Sequence, residues 1–308
     1  MVRVIITHGD VDGVVSAALV ARALGDCSEY LFSGPNSITR TLSKLRSEGS
    51  ELILLDIGLN KSKLDEVESH LKKLSGSGWK ISWYDHHFWD DESIARISGV
   101  ARLIIKPSSS NARLVFENLG GGDFEKELVE IADDADTGSY STEVAKLYNA
   151  ISMDRRMRKK LLKLLISGSL MDEELRKFGE AKLKEIEAQV SKGLKRAEVR
   201  LTRNGRKFCV IDLRKRGPGS LIARRATKEL GVDFSLVFNC KRFSLYAGLS
   251  RDVDLRNVCE RFGGGGHPYA CGGRVKLSLL KRLACKFFWK FYTPSEVFEI
   301  IRAVEEAF

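Results

Sequence analysis

A chain of 308 residues, 43% hydrophobic and 30% charged, has room for about two folded domains, and its even composition excludes repeat arrays and low-complexity architectures. The formal net charge of +10 and a pI near 9.3 favour a polyanionic partner such as nucleic-acid phosphate, with a solvated basic surface as the plainer alternative. The first apolar run is cut short by His8 and Asp10, and no stretch of about 18 apolar residues occurs, so a cytoplasmic protein without signal peptide or membrane span is expected.

Residues 2–7 are apolar and β-branched, and residues 14–24 carry apolar groups at helical spacing up to Gly25. The chain therefore opens as strand, loop and helix, with His8-Gly9-Asp10-Val11-Asp12-Gly13 as the loop. A second strand is expected over 30–33 and a helix over 37–45. Residues 51–55 read as a buried strand that delivers Asp56, and a helix follows over 61–74. Residues 80–84 form an aromatic and β-branched strand ending in Asp85-His86-His87, at the strand end where α/β sheets place their ligands. A strand over 101–105 and a helix over 111–119 continue the alternation, which predicts an α/β fold with a doubly wound, mostly parallel sheet.

From residue 125 to 197 the pattern is helical, interrupted by Asp133-Asp134-Ala135-Asp136-Thr137-Gly138. Its charged last part is expected to connect two domains, giving a catalytic domain over 1–171, a helical connector over 172–198 and a smaller α/β domain over 199–308. In the latter, strands are expected over 208–213, 234–238 and 243–249, and a helix over 220–230 capped by Ser220 and stopped by Gly231. A helix over 255–262 runs into Gly263-Gly264-Gly265-Gly266-His267-Pro268, and helices over 278–291 and 295–308 close the chain.

Cys27, Cys209, Cys240, Cys259, Cys271 and Cys285 form no CxxC or CxxH pair. Most read as small buried apolar residues, and neither a zinc ribbon nor a disulfide framework is expected. The basic clusters Arg155-Arg156-Met157-Arg158-Lys159-Lys160 and Arg214-Lys215-Arg216 are either a phosphate-facing surface or the wet face of a helix or turn.

Asp10, Asp12, Asp56, His86 and Asp136, with His8 as a sixth candidate, fall at predicted strand ends or in adjoining loops. Such an oxygen and nitrogen set without thiolates suits Mn²⁺ or Mg²⁺, and carboxylates around one pocket repel one another unless cations neutralise them. Each has a plainer role: Asp12 as a helix N-cap, Asp56 as a turn residue, Asp133, Asp134 or Asp136 as a helix-end cap. Coincidence at several independent strand ends is harder to sustain. The glycine run either nests an anion against backbone N–H groups, supplemented by His267 and flanked by Arg251, Arg256 and Arg274, or is a flexible loop.

His8-x-Asp10-x-Asp12-Gly13, Leu55-Asp56, Asp85-His86-His87 and Asp136-Thr137-Gly138 resemble, in order, the four motifs of the DHH phosphoesterase superfamily. Gly263-Gly264-Gly265-Gly266-His267, followed by Pro268, Ala270 and Gly272-Gly273, resembles the signature of the companion DHHA1 domain. The resemblance spans nearly the whole chain and implies an active-site cleft between the two domains. It also implies two divalent ions, Mn²⁺ before Mg²⁺, with Asp56 bridging, Asp10 on one and Asp12, His86 and Asp136 mainly on the other. Asp56, His86 and His87 would be the catalytic groups, with His87 left to touch a phosphate and Asp85 orienting an imidazole. Gly264, Gly265, Gly266, His267 and Arg251 would bind substrate. In many members the first-motif histidine stands four residues before the first aspartate, whereas His8 stands two before Asp10, so its place among the metal ligands stays open.

The resemblance implies a metal-dependent phosphodiesterase of the nanoRNase or RecJ-type exonuclease branches, in a short archaeal-type form, hydrolysing single-stranded or short RNA or DNA with a metal-activated water. A cyclic-dinucleotide phosphodiesterase and a 3′-phosphoadenosine 5′-phosphate phosphatase are the alternatives within the class. A manganese pyrophosphatase lacks the glycine-histidine signature. From another class, a catalytically inactive single-stranded nucleic-acid-binding accessory protein is disfavoured by the complete ligand set. No membrane partner is expected, and a homodimer or a DNA-repair or RNA-decay protein partner is left open.

Overall fold

Along the first strands, successive side chains leave on opposite faces, and both faces are apolar, which obliges helices to cover each. The computed structural model describes residues 3–25, 29–45, 51–214, 217–248, 252–288 and 291–308. β1 (Arg3–Thr7), α1 (Val11–Leu24), β2 (Glu29–Phe32), α2 (Ile38–Leu42), β3 (Glu51–Leu55), α3 (Leu64–Gly76), β4 (Lys80–Asp85), α4 (Asp91–Ser98), β5 (Arg102–Ile105) and α5 (Asn111–Leu119) follow one another. The five strands pair in parallel in the order β2-β1-β3-β4-β5. Val4, Ile6, Leu52, Leu54, Ile81 and Trp83 enter one core with residues of α2, α3 and α4. Ile5, Ile53, Leu55 and Tyr84 enter the other with α1 and α5.

α6 (Asp123–Asp136), α7 (Glu143–Ser152) and α8 (Arg155–Ile166) complete that second core. α1 is buried from Val11 through Ala21, as a helix apolar on every side must be. α4 has no counterpart among the elements expected from the sequence. Eight residues is short for a periodic signal, and the helix starts where Asp90 accepts from the Ser93 N–H at 2.9 Å.

The chain divides into two compact units, Met1–Leu183 and Lys184–Phe308. The division falls within α9 (Glu173–Leu194), the charged segment read as a connector. Leu175, Phe178 and Leu183 of its first half join the core of the first unit.

The second unit contains β6 (Glu198–Leu201), β7 (Lys207–Asp212), α10 (Gly219–Leu230), β8 (Phe234–Phe238), β9 (Arg242–Ala247), α11 (Arg256–Arg261), β10 (Gly265–His267), β11 (Ala270–Arg274), α12 (Leu279–Phe287) and α13 (Ser295–Ala307). Its sheet runs β10-β11-β9-β8-β7-β6, with β7 and β8 parallel and the remaining neighbours antiparallel. Pro218, not Ser220, precedes α10 as its N-cap, and Gly231 ends it in the left-handed conformation at φ 60°.

Two disulfides correct the expectation of unpaired cysteines. Cys240 joins Cys285 and Cys259 joins Cys271, while Cys209 is a buried free thiol; Cys27 lies outside the described residues. The pairs are 45 and 12 residues apart and match no ligand spacing, so only the folded chain brings them together. Among the described residues no helix is long and apolar enough to cross a membrane.

Candidate metal centre

β1, β3 and β4 are adjacent and parallel, so their C-terminal ends open on the same edge of the sheet. His8 follows β1, Asp56 follows β3, and Asp85 ends β4 with His86 and His87 behind it. α1 begins there with Asp10 as N-cap: one carboxylate oxygen accepts from the Gly13 N–H at 3.0 Å, and the other lies 2.6 Å from His8 Nδ1. Asp12, read in the sequence as a candidate cap, sits instead buried in the first turn. Its oxygens accept from the Asn111 and Ala112 N–H groups, each at 2.7 Å, at the positive N-terminus of α5. A Cβ on Gly13 would overlap the His8 carbonyl, so glycine permits this tight turn.

The acidic trio at the end of α6 splits three ways. Asp133 turns to α5, where it pairs with Arg113 and accepts from Ser110 Oγ at 2.6 Å. Asp134 accepts from the Ser141 and Thr142 N–H groups at 2.7 and 2.8 Å and its pKa is pulled down to about 2, hydrogen bonds outweighing burial. Asp136, the last residue of α6, faces the strand ends. A carboxylate there meets the negative end of the helix dipole, so positive charge nearby favours it.

His86 is the hub. Its Nδ1 lies 3.2 Å from the Ser108 carbonyl, which can only accept, so Nδ1 donates there and Nε2 is the ring nitrogen turned to the carboxylates. Nε2 lies 3.6 Å from Asp12 Oδ2, from Asp56 Oδ1 and from Asp136 Oδ2. His8 Nδ1 is 3.7 Å from Asp56 Oδ2, and His87 Nδ1 is 4.0 Å from Asp56 Oδ1. Three groups of potential ligands result: His8, Asp10 and Asp56; Asp12, His86 and Asp136; and Asp56, His86 and His87. Asp56 joins two of them. Its backbone sits at φ 55°, a left-handed conformation costing about 1–2 kcal/mol outside glycine, which its burial and the 3.0 Å hydrogen bond from its N–H to the Tyr84 carbonyl maintain. Asp85 is fully buried and binds His87 Nδ1 at 2.7 Å while accepting from Trp89 Nε1 at 2.7 Å, so the imidazole it orients is that of His87.

Burial raises the pKa of Asp56 well above the carboxylate range, and the charges of Asp12, Asp10 and Asp136 add to it. Asp12 is raised for the same first reason, then by Asp136 and Asp10, against the N–H groups of α5. Asp136 is also raised, by burial and Asp10 against the opposing His86. Asp10 is held at about 2 despite burial, because His8 and the Gly13 N–H stabilise its charge. Burial depresses His8 and His87, but Asp10 and Asp85 respectively outweigh it, so both are raised.

These residues fit divalent ions. Asp56 Oδ2 and His86 Nε2 are buried without a hydrogen-bond partner, a costly state for a folded chain unless something else completes them. Separations near 3.6 Å are too long for hydrogen bonds and suit two donors of one ion, each roughly 2.1 Å from it.

The glycine run is neither a flexible loop nor an open nest. The N–H groups of Gly263 and Gly264 donate to the Glu260 and Cys259 carbonyls at 2.9 and 2.8 Å, closing the end of α11. Gly265, Gly266 and His267 form β10, the edge strand opposite Gly272, Cys271 and Ala270. His267 is placed by its backbone alone, and Arg251, Lys215 and Arg216 lie outside the described residues. Arg256 pairs with Asp254 at 2.6 Å, and Phe262 packs edge-on against Phe243 in the core.

Residues 3–169 match the DHH family, N-terminal domain. That is more than half of the 308 residues, and the chain belongs to the DHH family. Solved structures share its fold over nearly the full length. PggH, a pGpG-specific phosphodiesterase from Vibrio, is 16% identical with a TM-score of 0.58, over 94% of this chain and 98% of that one. Exonuclease RecJ bound to manganese is 16% identical with a TM-score of 0.59, over 98% and 93%. RecJ in complex with Mn²⁺ from Thermus thermophilus is 15% identical with a TM-score of 0.62, over 98% of this chain and 57% of that one. A comparison with curated protein sequences finds no match.

Proposed function

We propose that the protein is a metal-dependent phosphodiesterase that hydrolyses short or single-stranded oligonucleotides. The observation that carries this reading is the set of ligand groups meeting at Asp56, with Asp56 Oδ2 and His86 Nε2 buried and unpartnered between them. Asp10, Asp12, Asp56, His86 and Asp136 would hold two divalent ions, with His8 as a further donor beside Asp10. Ions held there supply a water that is nucleophilic at neutral pH and positive charge to match a phosphate. The α5 N–H groups keep Asp12 in place, and the Ser108 carbonyl keeps His86 in place, so neither reorganises as charge develops. His87, half-exposed and braced by Asp85 and Trp89, is left to donate to a phosphate oxygen. Gly264, Gly265, Gly266, His267 and Arg251 of the second unit are proposed as substrate-binding residues.

RecJ is an exonuclease and PggH a pGpG-specific phosphodiesterase, which supports nucleic-acid substrates of short length. The test is release of mononucleotides from labelled short RNA and single-stranded DNA in parallel, with Mn²⁺, Mg²⁺, Ca²⁺ or EDTA. Mn²⁺ should exceed Mg²⁺, because imidazole among the donors suits it better, and Ca²⁺ should support little. Cleavage of neither polymer with any ion would remove the proposal.

A further inference from the structure

Beside the candidate metal centre, and sharing only His8 and Asp10 with its ligand groups, lies a recess of about 500 Å³ walled by the His8-Gly9-Asp10 turn, by Phe32 to Ser37 and by the junction of α7 and α8. We propose that it binds a single nucleotide of the substrate, with a phosphate on Arg158. This rests on the phosphodiesterase reading above and adds to it a specific anchor.

Arg158 belongs to the basic cluster read as a surface feature, yet α8 sends it inward. Asp154 caps α8, accepting from the Arg156 and Met157 N–H groups at 2.9 Å, and this places Arg158 one turn in. Its Nε donates to the Ser152 carbonyl at 2.7 Å, and its guanidinium carbon stands 5.0 Å from the centre of the Phe32 ring. The same guanidinium packs on Gly9, where a Cβ would overlap it. Three contacts fix the group, and none is an ion pair. Among the described residues no carboxylate lies within salt-bridge distance of it, whereas Lys160 of the same helix is committed to Asp172 and Glu174. A half-buried guanidinium with free terminal N–H groups is a phosphate anchor held ready.

The remaining wall suits the rest of a nucleotide. Ser152 Oγ is buried there without a hydrogen-bond partner, and half-exposed Met153 and partly buried Phe32 offer apolar surface for a sugar or base. The volume is in the range of about 300–1,000 Å³ that holds one drug-sized ligand. His8 and Asp10 line both this recess and the metal centre, so a nucleotide seated here keeps its neighbouring phosphodiester at the metal ligands.

The test titrates adenosine monophosphate into the full-length wild type, R158A, R158K and M153E, with Mn²⁺ and with EDTA, beside steady-state cleavage of a trinucleotide. R158A should weaken adenosine monophosphate about 10- to 100-fold, the loss of a charge-assisted contact. KM for the trinucleotide should rise in step, with kcat changing far less. R158K should recover part of the loss, and M153E, at an exposed position, should weaken binding by repulsion even if R158A folds poorly. No binding of adenosine monophosphate by the wild type, or equal affinity in wild type and folded R158A, overturns the proposal. Failure of the wild type to cleave the trinucleotide while R158A still loses nucleotide affinity would strike the phosphodiesterase reading alone.

Discussion

At the candidate metal centre the decisive groups are side chains: carboxylates and imidazoles that three strand ends and two helix ends bring together. At Gly263 to Gly266 they are missing, and what Gly264 and Gly266 permit is backbone in places a Cβ would fill. Gly264 lies against the Gly272 carbonyl, and Gly266 against Ala270 and Cys271 at φ 140°. The first region stores cost as crowded buried carboxylates, which bound cations or protons relieve. In the second, the Gly263 and Gly264 N–H groups close the end of α11, β10 pairs with β11, and the Cys259–Cys271 disulfide ties α11 to β11 beside it. The two regions should therefore fail differently.

The largest effect should come from Asp56→Ala, which removes the residue shared by two ligand groups. Hydrolysis is expected to fall by at least about 10³-fold, roughly 4 kcal/mol, with bound Mn²⁺ lost by elemental analysis and the fold retained by circular dichroism. Retention of more than about a tenth of kcat would contradict a bridging role.

Reduction of Cys259–Cys271 should act on stability alone. A loop of this length is worth about 3 kcal/mol, so a Cys259→Ser/Cys271→Ser protein should melt earlier in its second unit with Mn²⁺ binding unchanged. An unaltered melting curve would show that the bridge contributes nothing.

Adjacent glycines sharpen the contrast further. Gly264→Ala should cost about 2 kcal/mol or more, because only backbone atoms meet the new methyl group, whereas Gly265→Ala meets open space and should be nearly neutral. Chemical denaturation of the two variants would show equal stability if the run were simply flexible.

The smallest effect is a pH dependence confined to the metal centre. Asp12, Asp56 and Asp136 have folded pKa values above their ordinary value, so the folded state binds more protons and gains stability as pH falls through that raised range. His8 and His87, also raised, act in the same direction. Asp10 opposes only below its ordinary value of 3.8, as pH falls towards about 2. In EDTA the Tm should therefore be higher by a few degrees near pH 5.5 than near pH 8, and Asp56→Asn should shrink the difference. A metal-free Tm that rises from pH 5.5 to pH 8 would reverse the assigned shifts.

The sequence by itself determined the parallel sheet and offered the carboxylates and imidazoles that the structure brings together at its strand ends. Apolar strands on both faces leave few arrangements other than a doubly wound sheet, and parallel strands deliver His8, Asp56 and His86 to one edge whatever the helices do. Which acid of a run serves which purpose was not written there. Asp133, Asp134 and Asp136 are chemically alike, and only the positions of Arg113, the Ser141-Thr142 turn and His86 tell them apart. The same holds for Asp10 and Asp12, for the cysteine pairs and for Arg158, whose inward turn depends on Ser152, Phe32 and Gly9 from three separate segments. Local pattern sets what a segment can offer through its periodicity and residue chemistry. Long-range packing decides which partner accepts the offer, because contacts between distant residues exist only once the chain has folded.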